Sequence, residues 1–374
     1  MMRTLRTWVW VTVVLVAGVV LALSVTFGRQ TRDPARGGLM VGAKIYEYSG
    51  SFPALFEALR ETGINTAFVS PDLISNPEFR GLAKKNGIAT FIIFPVFFNA
   101  EELTRRPDLY AVTDKGIRAE EDWVKFVCPT RKDYLAEKVG ELRKLVRETD
   151  PEGVSLDFIR FFVFWEMVYP DRTLESLQNS CFDASCLESF RKATGIAAPA
   201  TIAGTAETAR WILSNHLREW TEWKCGVIAG VVKTLAGEAR KMKPGIKVNI
   251  HAVPWRSDDF GGAAKIIAGQ DLALLAPLTD YISPMCYHHM VKQTPAWIHS
   301  VVEDVERTTK ASVIPSIQVK EAYIPGPESA AEFKEALTEA LKPPSRGVVF
   351  WNWAALEGSP EKREAVKAVL RALR

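Results

Sequence analysis

The sequence predicts a single α/β domain, a (β/α)8 barrel, preceded by a hydrophobic N-terminal helix. Eight short apolar runs recur after residue 37, and helical stretches with apolar residues at three- and four-residue spacing separate most of them. No long composition break divides residues 37–374, which favours one domain. No glycine-rich phosphate loop follows the first run, whereas a doubly wound open sheet, the alternative fold, would more naturally show one.

The predicted elements alternate along the chain as strand and helix. The strands are predicted at 41–48, 66–70, 89–98, 153–161, 247–253, 281–287, 312–319 and 347–353. The helices are predicted at 53–62, 77–86, 132–149, 206–241, 295–309, 328–341 and 360–373, with a less regular helix at 263–275 between the fifth and sixth strands. Eight such units are the number that closes a (β/α)8 barrel.

Two insertions interrupt this alternation, at about 99–130 and 162–205. They follow the third and fourth strands, so both leave carboxyl ends of strands, where barrel enzymes build their active sites. The second insertion begins with a dense group of aromatic residues that includes Phe162, Phe164 and Trp165. Such a group either packs within its own loop or forms a platform for a substrate.

The first 36 residues have the pattern of a signal anchor or signal peptide with a short linker. Residues 8–27 carry no charge, and Arg3 and Arg6 precede them. About 20 apolar residues can span the hydrocarbon core of a bilayer, which favours a retained anchor. Cleavage near Ser24 is the alternative. Either route predicts an extracytoplasmic body that is held at the membrane or secreted.

The charge distribution argues against a nucleic-acid partner. The chain has 47 basic and 44 acidic residues, and the excess of positive charge comes from five arginines within residues 1–36. The remaining body is close to neutral, so it lacks the basic footprint that phosphate binding requires. The oligomeric state is left open by the sequence.

Five cysteines bear on the compartment and on metals. In an oxidising compartment Cys181 and Cys186 are candidates for a loop disulfide, and the odd number leaves at least one thiol unpaired. Cys128, Cys225 and Cys286 are expected to be small buried hydrophobic residues. The spacing does not reveal a complete set of ligands, so the sequence predicts no metal site and no cofactor.

Polar residues alternate with apolar ones on three predicted strands. The polar pairs are Ser155 with Asp157, Asn249 with His251, and Ser316 with Gln318. Because side chains alternate between the two faces of a strand, each pair shares one face, which we expect to be the barrel lumen. Buried polar groups need partners, so these side chains are expected to meet a ligand, water or each other.

Asp157 is the central catalytic candidate, because a carboxylate at the mouth of a barrel can act as nucleophile, base or electrostatic stabiliser. A structural ion pair with Arg160 is the alternative. Two-carboxylate hydrolysis needs a second acid, and Glu321, just after the seventh strand, is the first choice. Other acids on strand-end loops are expected to be solvated surface groups: Glu47, Asp72, Glu166, Asp258, Asp259 and Glu357.

Aromatic residues at the strand ends suit a sugar, which presents apolar C–H faces between its hydroxyls. Trp351 and Trp353 share one face of the eighth strand, so either can form the floor of a pocket. The candidate substrate-binding residues are Tyr46, Glu47, Arg160, His251, Tyr287, His288, Gln318, Trp351 and Trp353.

Several motifs resemble those of glycoside-hydrolase-like TIM-barrel families. They are Cys128-Pro-Thr-Arg before a helix, the fourth-strand block Gly153-Val-Ser-Leu-Asp157-Phe-Ile-Arg160-Phe, Ser283-Pro-Met-Cys-Tyr287, Ile317-Gln318-Val and Val349-Phe-Trp351-Asn-Trp353. The resemblance extends over roughly residues 40–370. It implies a carbohydrate-active barrel outside the cell or attached to its surface, with Asp157 matching the acidic position of the fourth strand.

Three functions follow from these observations. The first is a membrane-anchored or secreted glycosidase that acts on a polysaccharide or glycan, with Asp157 as nucleophile or stabilising carboxylate and Glu321 as general acid. The second is a non-catalytic carbohydrate-binding barrel. The third is a metal-dependent hydrolase that uses Asp157, His251 and His288, although no His-x-His or His-Glu-x-x-His spacing supports it.

Overall fold

Eight parallel strands surround a central lumen in the computed structural model, which describes residues 38–373. We number the barrel strands β1 (Met40–Ile45), β2 (Thr66–Val69), β3 (Ala89–Pro95), β4 (Gly153–Asp157), β5 (Lys247–Ala252), β6 (Tyr281–Pro284), β7 (Ser316–Gln318) and β8 (Gly347–Trp351). Their spatial order follows the chain, from β1 to β6 on one side and through β8 to β7 on the other. Parallel bridges from Ile282 to Val313 and from Met285 to Ser316 nearly close the barrel.

Helices interleave with these strands, so the predicted (β/α)8 barrel is confirmed for the described residues. They are α1 (Phe52–Thr62), α2 (Pro71–Ser75), α3 (Pro77–Asn86), α4 (Ala100–Arg105), α5 (Lys132–Thr149), α6 (Ala184–Thr194), α7 (Thr205–Asn215), α8 (Leu217–Met242), α9 (Ala263–Ile266), α10 (Leu272–Leu275), α11 (Pro295–Thr309), α12 (Ala330–Leu341), α13 (Trp353–Glu357) and α14 (Pro360–Ala372).

Two predicted helices are each divided in the structure. The long helix expected at 206–241 is interrupted at His216, whose φ of −139° lies outside the helical region. The helix expected at 263–275 is two single-turn helices, α9 and α10. None of the helices within residues 38–373 has the length and hydropathy of a membrane span. The predicted N-terminal helix and leader lie outside the described residues.

The amino-terminal half of the lumen is filled by apolar side chains. Met40, Phe68, Phe91, Ile93, Ile314 and Val349 form a cluster separate from the larger core between strands and helices. Two glycines make room for its rings. A Cβ atom at Gly153 would lie 2.2 Å from the ring of Phe91, and one at Gly42 would lie 2.6 Å from the ring of Phe68. The filled lumen places any ligand at the opposite end of the barrel.

We expect Gly153→Ala to lower the free energy of unfolding by about 1–3 kcal/mol, because its methyl group would overlap Phe91 in a filled core. Gly81→Ala is the matched control. Gly81 is exposed within α3, and a Cβ atom added there would meet no atom within 4 Å apart from its chain neighbours and the backbone of its own helix, so alanine is expected to stabilise by about 0.5–1 kcal/mol. Urea unfolding measures both variants, and equal stability of Gly153→Ala and the parent would contradict the packing argument.

The two insertions pair with each other beside the barrel mouth. The first contains α4 and a hairpin of Glu120–Glu121 with Val124–Lys125, and the second contains α6. The backbone N–H of Asp114 donates to Asn179, and that of Phe182 donates to Val112, at 2.9 and 2.8 Å. These bonds, with an antiparallel bridge from Thr113 to Ser180, join the two insertions into one wall.

Candidate active site

A cavity of about 430 Å³ opens at the carboxyl ends of the barrel strands. Lys44 is on β1, Asp157 ends β4 and Trp351 ends β8, and all three line the cavity. Tyr46, one residue beyond β1, lines it as well. The site therefore lies where a (β/α)8 barrel brings residues from several strands together.

Beneath this cavity the lumen holds a buried polar network. Asn249 donates through Nδ2 to Ser155 Oγ at 2.8 Å, and Ser283 donates through Oγ to Asn249 Oδ1 at 2.9 Å. Ser155 Oγ also lies 3.0 Å from His251 Nε2. Burial lowers the pKa of His251 to about 3, so its ring is neutral at physiological pH. The side chains that alternate on β4 and β5 thus meet in the lumen.

Asp157 and Lys44 form the charged centre of the cavity. Lys44 Nζ lies 3.7 Å from Asp157 Oδ2, and the two residues are only 1% and 5% exposed. Burial favours the protonated carboxyl group, but nearby positive charge and the N–H of Phe158, which donates to Oδ1 at 2.8 Å, hold the pKa of Asp157 below its usual range. Because His251 is neutral, Lys44 is the cation in contact, although burial lowers the pKa of Lys44 and the charge of Asp157 opposes that shift only in part. Asp157 is therefore ionised.

The chain turns sharply after Asp157, and this turn brings Arg160 into the cavity. Phe158 adopts a φ of +50°, a left-handed conformation that costs free energy for a residue other than glycine. The strand β4 ends at Asp157, so its side chains no longer alternate between two faces beyond that residue. Arg160 is therefore not forced onto the face opposite to that of Asp157. The Arg160 guanidinium lies over the rings of Phe126 and Phe158, at 5.1 and 5.2 Å from their centroids.

Glu166 is the second carboxyl group of the cavity. It belongs to a single 3-10 turn, Trp165–Met167, at the start of the second insertion, and it is 7% exposed. Its Oε2 atom has no hydrogen-bond partner within residues 38–373. Burial raises the pKa of Glu166 to about 7, and the charge of Arg160 opposes this shift only in part. Asp157 and Glu166 therefore differ in protonation near neutral pH.

Three aromatic side chains form the deep wall of the cavity. The rings of Tyr287 and Trp351 stack with centroids 4.6 Å apart and an angle of 15° between their planes. Trp165, which is fully buried, lies 5.6 Å from Tyr287. The Tyr287 hydroxyl lies 3.3 Å from Ser316 Oγ, which fixes the tilt of its ring. A flat apolar face is thus present beside the charged centre.

A second set of aromatic residues surrounds the mouth. Trp123, at the tip of the hairpin in the first insertion, donates through its indole N–H to the hydroxyl of Tyr323. Both side chains are about 40% exposed and both line the cavity. Trp123 also contacts Phe98 and Phe158 edge to face, at 5.6 and 6.1 Å between centroids. The cavity therefore has aromatic surfaces at its base and at its entrance.

The structure brings five of the sequence-predicted residues to this cavity: Tyr46, Asp157, Arg160, Tyr287 and Trp351. His251 lies below it, in the polar network of the lumen. Glu47 and Glu321 are exposed and do not line the cavity. Glu321, the acid predicted to pair with Asp157, therefore lies outside the cavity, because the chain after β7 leaves it at the surface, whereas Glu166, expected at the solvated surface, lines the cavity.

Three other predicted residues take structural roles. His288 is buried against α12, with Nε2 3.1 Å from Glu332 Oε1, so it does not join Asp157 and His251 in a metal site. Gln318 accepts from the N–H of Met290 at 2.9 Å and donates to the carbonyl of Lys320 at 3.2 Å. Trp353 begins α13 and is fully buried in the core. None of the three lines the cavity.

The loop disulfide expected between Cys181 and Cys186 is absent, and all five cysteines, each buried, are free thiols in the structure.

Lys44 was not predicted from the sequence, although its side chain shares the lumen-facing side of β1 with Met40 and Gly42. Trp123 and Tyr323 left no such signal, because a loop does not fix the direction of a side chain.

Comparison with known proteins shows which solved structures share the fold of this chain. No protein-family model and no curated protein matches the sequence. The PgaB (BpsB) glycoside hydrolase domain from Bordetella bronchiseptica matches in structure with a TM-score of 0.65 at 11% identity, over 88% of this chain and 98% of that one. The chain shares its barrel fold with a glycoside hydrolase domain. A barrel of this kind is the fold that the resemblance of the sequence motifs implies.

Two further structures have the same barrel within longer chains. The β-galactosidase from the psychrophilic Marinomonas ef1 matches with a TM-score of 0.65 at 11% identity, over 89% of this chain and 59% of that one. The α-L-fucosidase isoenzyme 2 from Paenibacillus thiaminolyticus matches with a TM-score of 0.57 at 12% identity, over 89% and 49%. The chain thus spans about half the length of these two enzymes. At 11–12% identity a shared fold does not establish a function, so the function has to be argued from the residues of the cavity.

Proposed function

We propose that the protein is a glycoside hydrolase that uses Asp157 as its ionised carboxylate and Glu166 as its general acid. One observation carries the proposal: two buried carboxyl groups line the same cavity, and their surroundings move their pKa values in opposite directions. Such a pair supplies a base or nucleophile and an acid at the same pH. The chain shares its barrel fold with a glycoside hydrolase domain, and a barrel of this kind can hold such a pair at its mouth.

In the proposed reaction, Glu166 donates its proton to the glycosidic oxygen as the bond from that oxygen to the anomeric carbon breaks. Asp157 faces the positive charge that develops on the sugar, either as nucleophile or as the base that activates water. Water finally supplies a hydroxyl to the anomeric carbon and a proton to the enzyme. Lys44 keeps Asp157 ionised in its buried position.

The aromatic surfaces support a carbohydrate as the substrate. Trp351 and Tyr287 present a stacked pair at the base, and Trp123 and Tyr323 stand at the entrance. Rings at both depths suit a substrate longer than one sugar, because each sugar has an apolar face to stack. We propose an extracytoplasmic polysaccharide or glycan, on the basis of the uncharged run at residues 8–27.

We expect Trp123→Ala to raise the KM for a polymeric substrate about tenfold, equivalent to roughly 1.4 kcal/mol, while kcat changes little. The reason is that Trp123 lies at the entrance, whereas the two carboxyl groups lie deeper. Ile117→Ala is the control, because Ile117 is 56% exposed in the same insertion and does not line the cavity. Steady-state kinetics on a polysaccharide measure the KM of both variants. An unchanged KM for Trp123→Ala would show that Trp123 does not bind the substrate.

The proposal is tested with the parent chain and a panel of polysaccharides and aryl glycosides, scored by the release of reducing ends. We expect hydrolysis of at least one member, with activity falling on both sides of a pH optimum. The anomer released first, read by NMR, distinguishes retention from inversion. Binding to a panel member in affinity electrophoresis without any release of reducing ends would overturn hydrolysis and leave a carbohydrate-binding barrel.

A further inference from the structure

Where the two insertions join, Cys128 of the first insertion meets two cysteines and an aspartate of the second insertion. Cys128 comes just before α5, Cys181 precedes α6, and Asp183 and Cys186 lie at the start of α6. One potential ligand atom from each lies within 4.8 Å of the other three. The sulfur atoms of Cys128 and Cys186 are 3.4 Å apart, which is longer than an S–S bond of about 2.05 Å.

This geometry matches the needs of a tetrahedral metal ion. Four ligands at about 2.0–2.3 Å from a zinc ion stand roughly 3.3–3.8 Å from each other in a tetrahedron. The observed group is close to that size before any ion draws it together. Three sulfur ligands favour Zn²⁺ over harder cations such as Mg²⁺ or Ca²⁺, which prefer oxygen. Four protein ligands leave no open position, as in structural zinc sites.

Neighbouring groups hold the candidate ligands in place. The N–H of Val112 donates to Cys181 Sγ at 3.1 Å, and Thr130 Oγ1 lies 3.1 Å from Cys128 Sγ. Asp183 is the N-cap of α6 and accepts from the N–H of Cys186 at 2.6 Å, so its carboxylate is oriented by the helix. Hydrogen bonds of this kind fix the direction of a metal ligand and stabilise a thiolate.

We propose that Cys128, Cys181, Asp183 and Cys186 bind one Zn²⁺ ion that ties the first insertion to the second. Binding releases the thiol protons to the solvent, and three thiolates with one carboxylate give the loaded site a formal charge of −2. Lys224, which is fully buried, donates to Asn179 Oδ1 at 2.7 Å, two residues before Cys181, and so anchors the segment that carries this ligand.

The proposed ion has a mechanical consequence for the cavity. The first insertion provides Trp123 and the second provides Trp165 and Glu166, all of which line the cavity. The backbones of the two insertions are joined by a few hydrogen bonds between residues 112–114 and 179–182. Bonds from one zinc ion to both insertions would fix the position of one insertion relative to the other. Removal of zinc is therefore expected to lower the melting temperature without unfolding the barrel.

The test is metal analysis of the full chain, purified without added metal or chelator. We expect about one zinc per chain for the parent and for Cys225→Ser, a buried cysteine outside the group, and less than about 0.1 per chain for Cys128→Ser. Exchange with Co²⁺ is expected to give the intense thiolate charge-transfer absorption and the visible bands of a tetrahedral site, which read the ligands directly in the parent chain.

Two outcomes would overturn the proposal. One is a parent chain that holds less than about 0.1 metal ion after purification and also after incubation with a reductant and excess Zn²⁺. The other is a mass two hydrogens below that of the reduced chain, with peptides that place a disulfide within this group. Both measurements use the unsubstituted protein, so they stand even where a serine variant fails to fold. Neither depends on hydrolytic activity.

Discussion

The Asp157→Asn variant is expected to lose about 10³-fold or more of kcat/KM on any glycan that the parent hydrolyses. The amide has nearly the shape of the carboxylate, but it has no charge to face a developing oxocarbenium ion and is a poor nucleophile and base. Asp157 ends β4 within the cavity, so the substitution alters the reacting centre directly. Steady-state kinetics of the purified variant measure the loss.

A structural role of Asp157 has to be separated from the catalytic one. Lys44 is 1% exposed, and Asp157 is its ion-pair partner at 3.7 Å, so Asp157→Asn leaves a buried ammonium group unpaired. Breaking such a pair costs about 3–5 kcal/mol of stability, whereas replacing both partners is much less costly. The double variant Asp157→Asn/Lys44→Met is therefore expected to regain stability in urea unfolding and to remain inactive. Full activity in either variant would contradict the proposed mechanism.

The sequence is sufficient to predict the barrel and its lumen, because both depend on periodicity. Ser155 and Asn249 share a network because every second residue of a parallel strand faces the same way, and adjacent strands repeat that rule. The same rule holds for Lys44 on β1. Asp157 could be found because it lies on a strand, and its environment follows from its place at the end of β4.

The loops could not be predicted in this way. Glu166 is expected at the solvated surface, yet it is buried in the cavity because a short turn folds the start of the second insertion over the mouth of the barrel. Glu321 is expected in the cavity but is exposed. The sequence suggests only a local pair of cysteines, whereas Cys128 approaches that pair when the two insertions join. Loop contacts of this kind depend on tertiary packing rather than on periodicity.

The Glu166→Gln variant is expected to lose about 10²–10⁴-fold of kcat on substrates whose leaving group needs a proton. Glutamine keeps the size of the side chain but cannot donate the proton of a carboxylic acid. Aryl glycosides with strongly acidic phenol leaving groups need no such help, so their hydrolysis is expected to fall far less. Glu175→Gln is the control, because Glu175 is an exposed acid in the same insertion. An equal loss on both kinds of substrate would argue against a general acid.

The pH dependence gives a second, independent test of Glu166. Only its protonated form can donate, and burial raises its pKa to about 7, so kcat/KM of the parent is expected to fall as pH rises through about 7. On the acidic side, kcat/KM is expected to fall only when Asp157 takes up a proton, below its usual pKa. Glu166→Gln is expected to remove the alkaline limb and to leave the acidic one.

The raised pKa of Glu166 also makes the stability of the protein depend on pH. The free energy of unfolding falls as pH rises, whereas an acid whose pKa is lowered by an ion pair would make it rise. The folded chain holds the Glu166 proton up to about pH 7, while the unfolded chain releases it near 4.5, so the folded state binds more protons between these values. The free energy of unfolding of the parent is therefore expected to decline across that window, by up to about 3 kcal/mol from this group. Glutamine does not titrate, so Glu166→Gln should gain stability relative to the parent as pH rises from about 5 to about 8. If urea unfolding shows a constant difference over that range, Glu166 is not protonated in the folded protein and cannot be the acid.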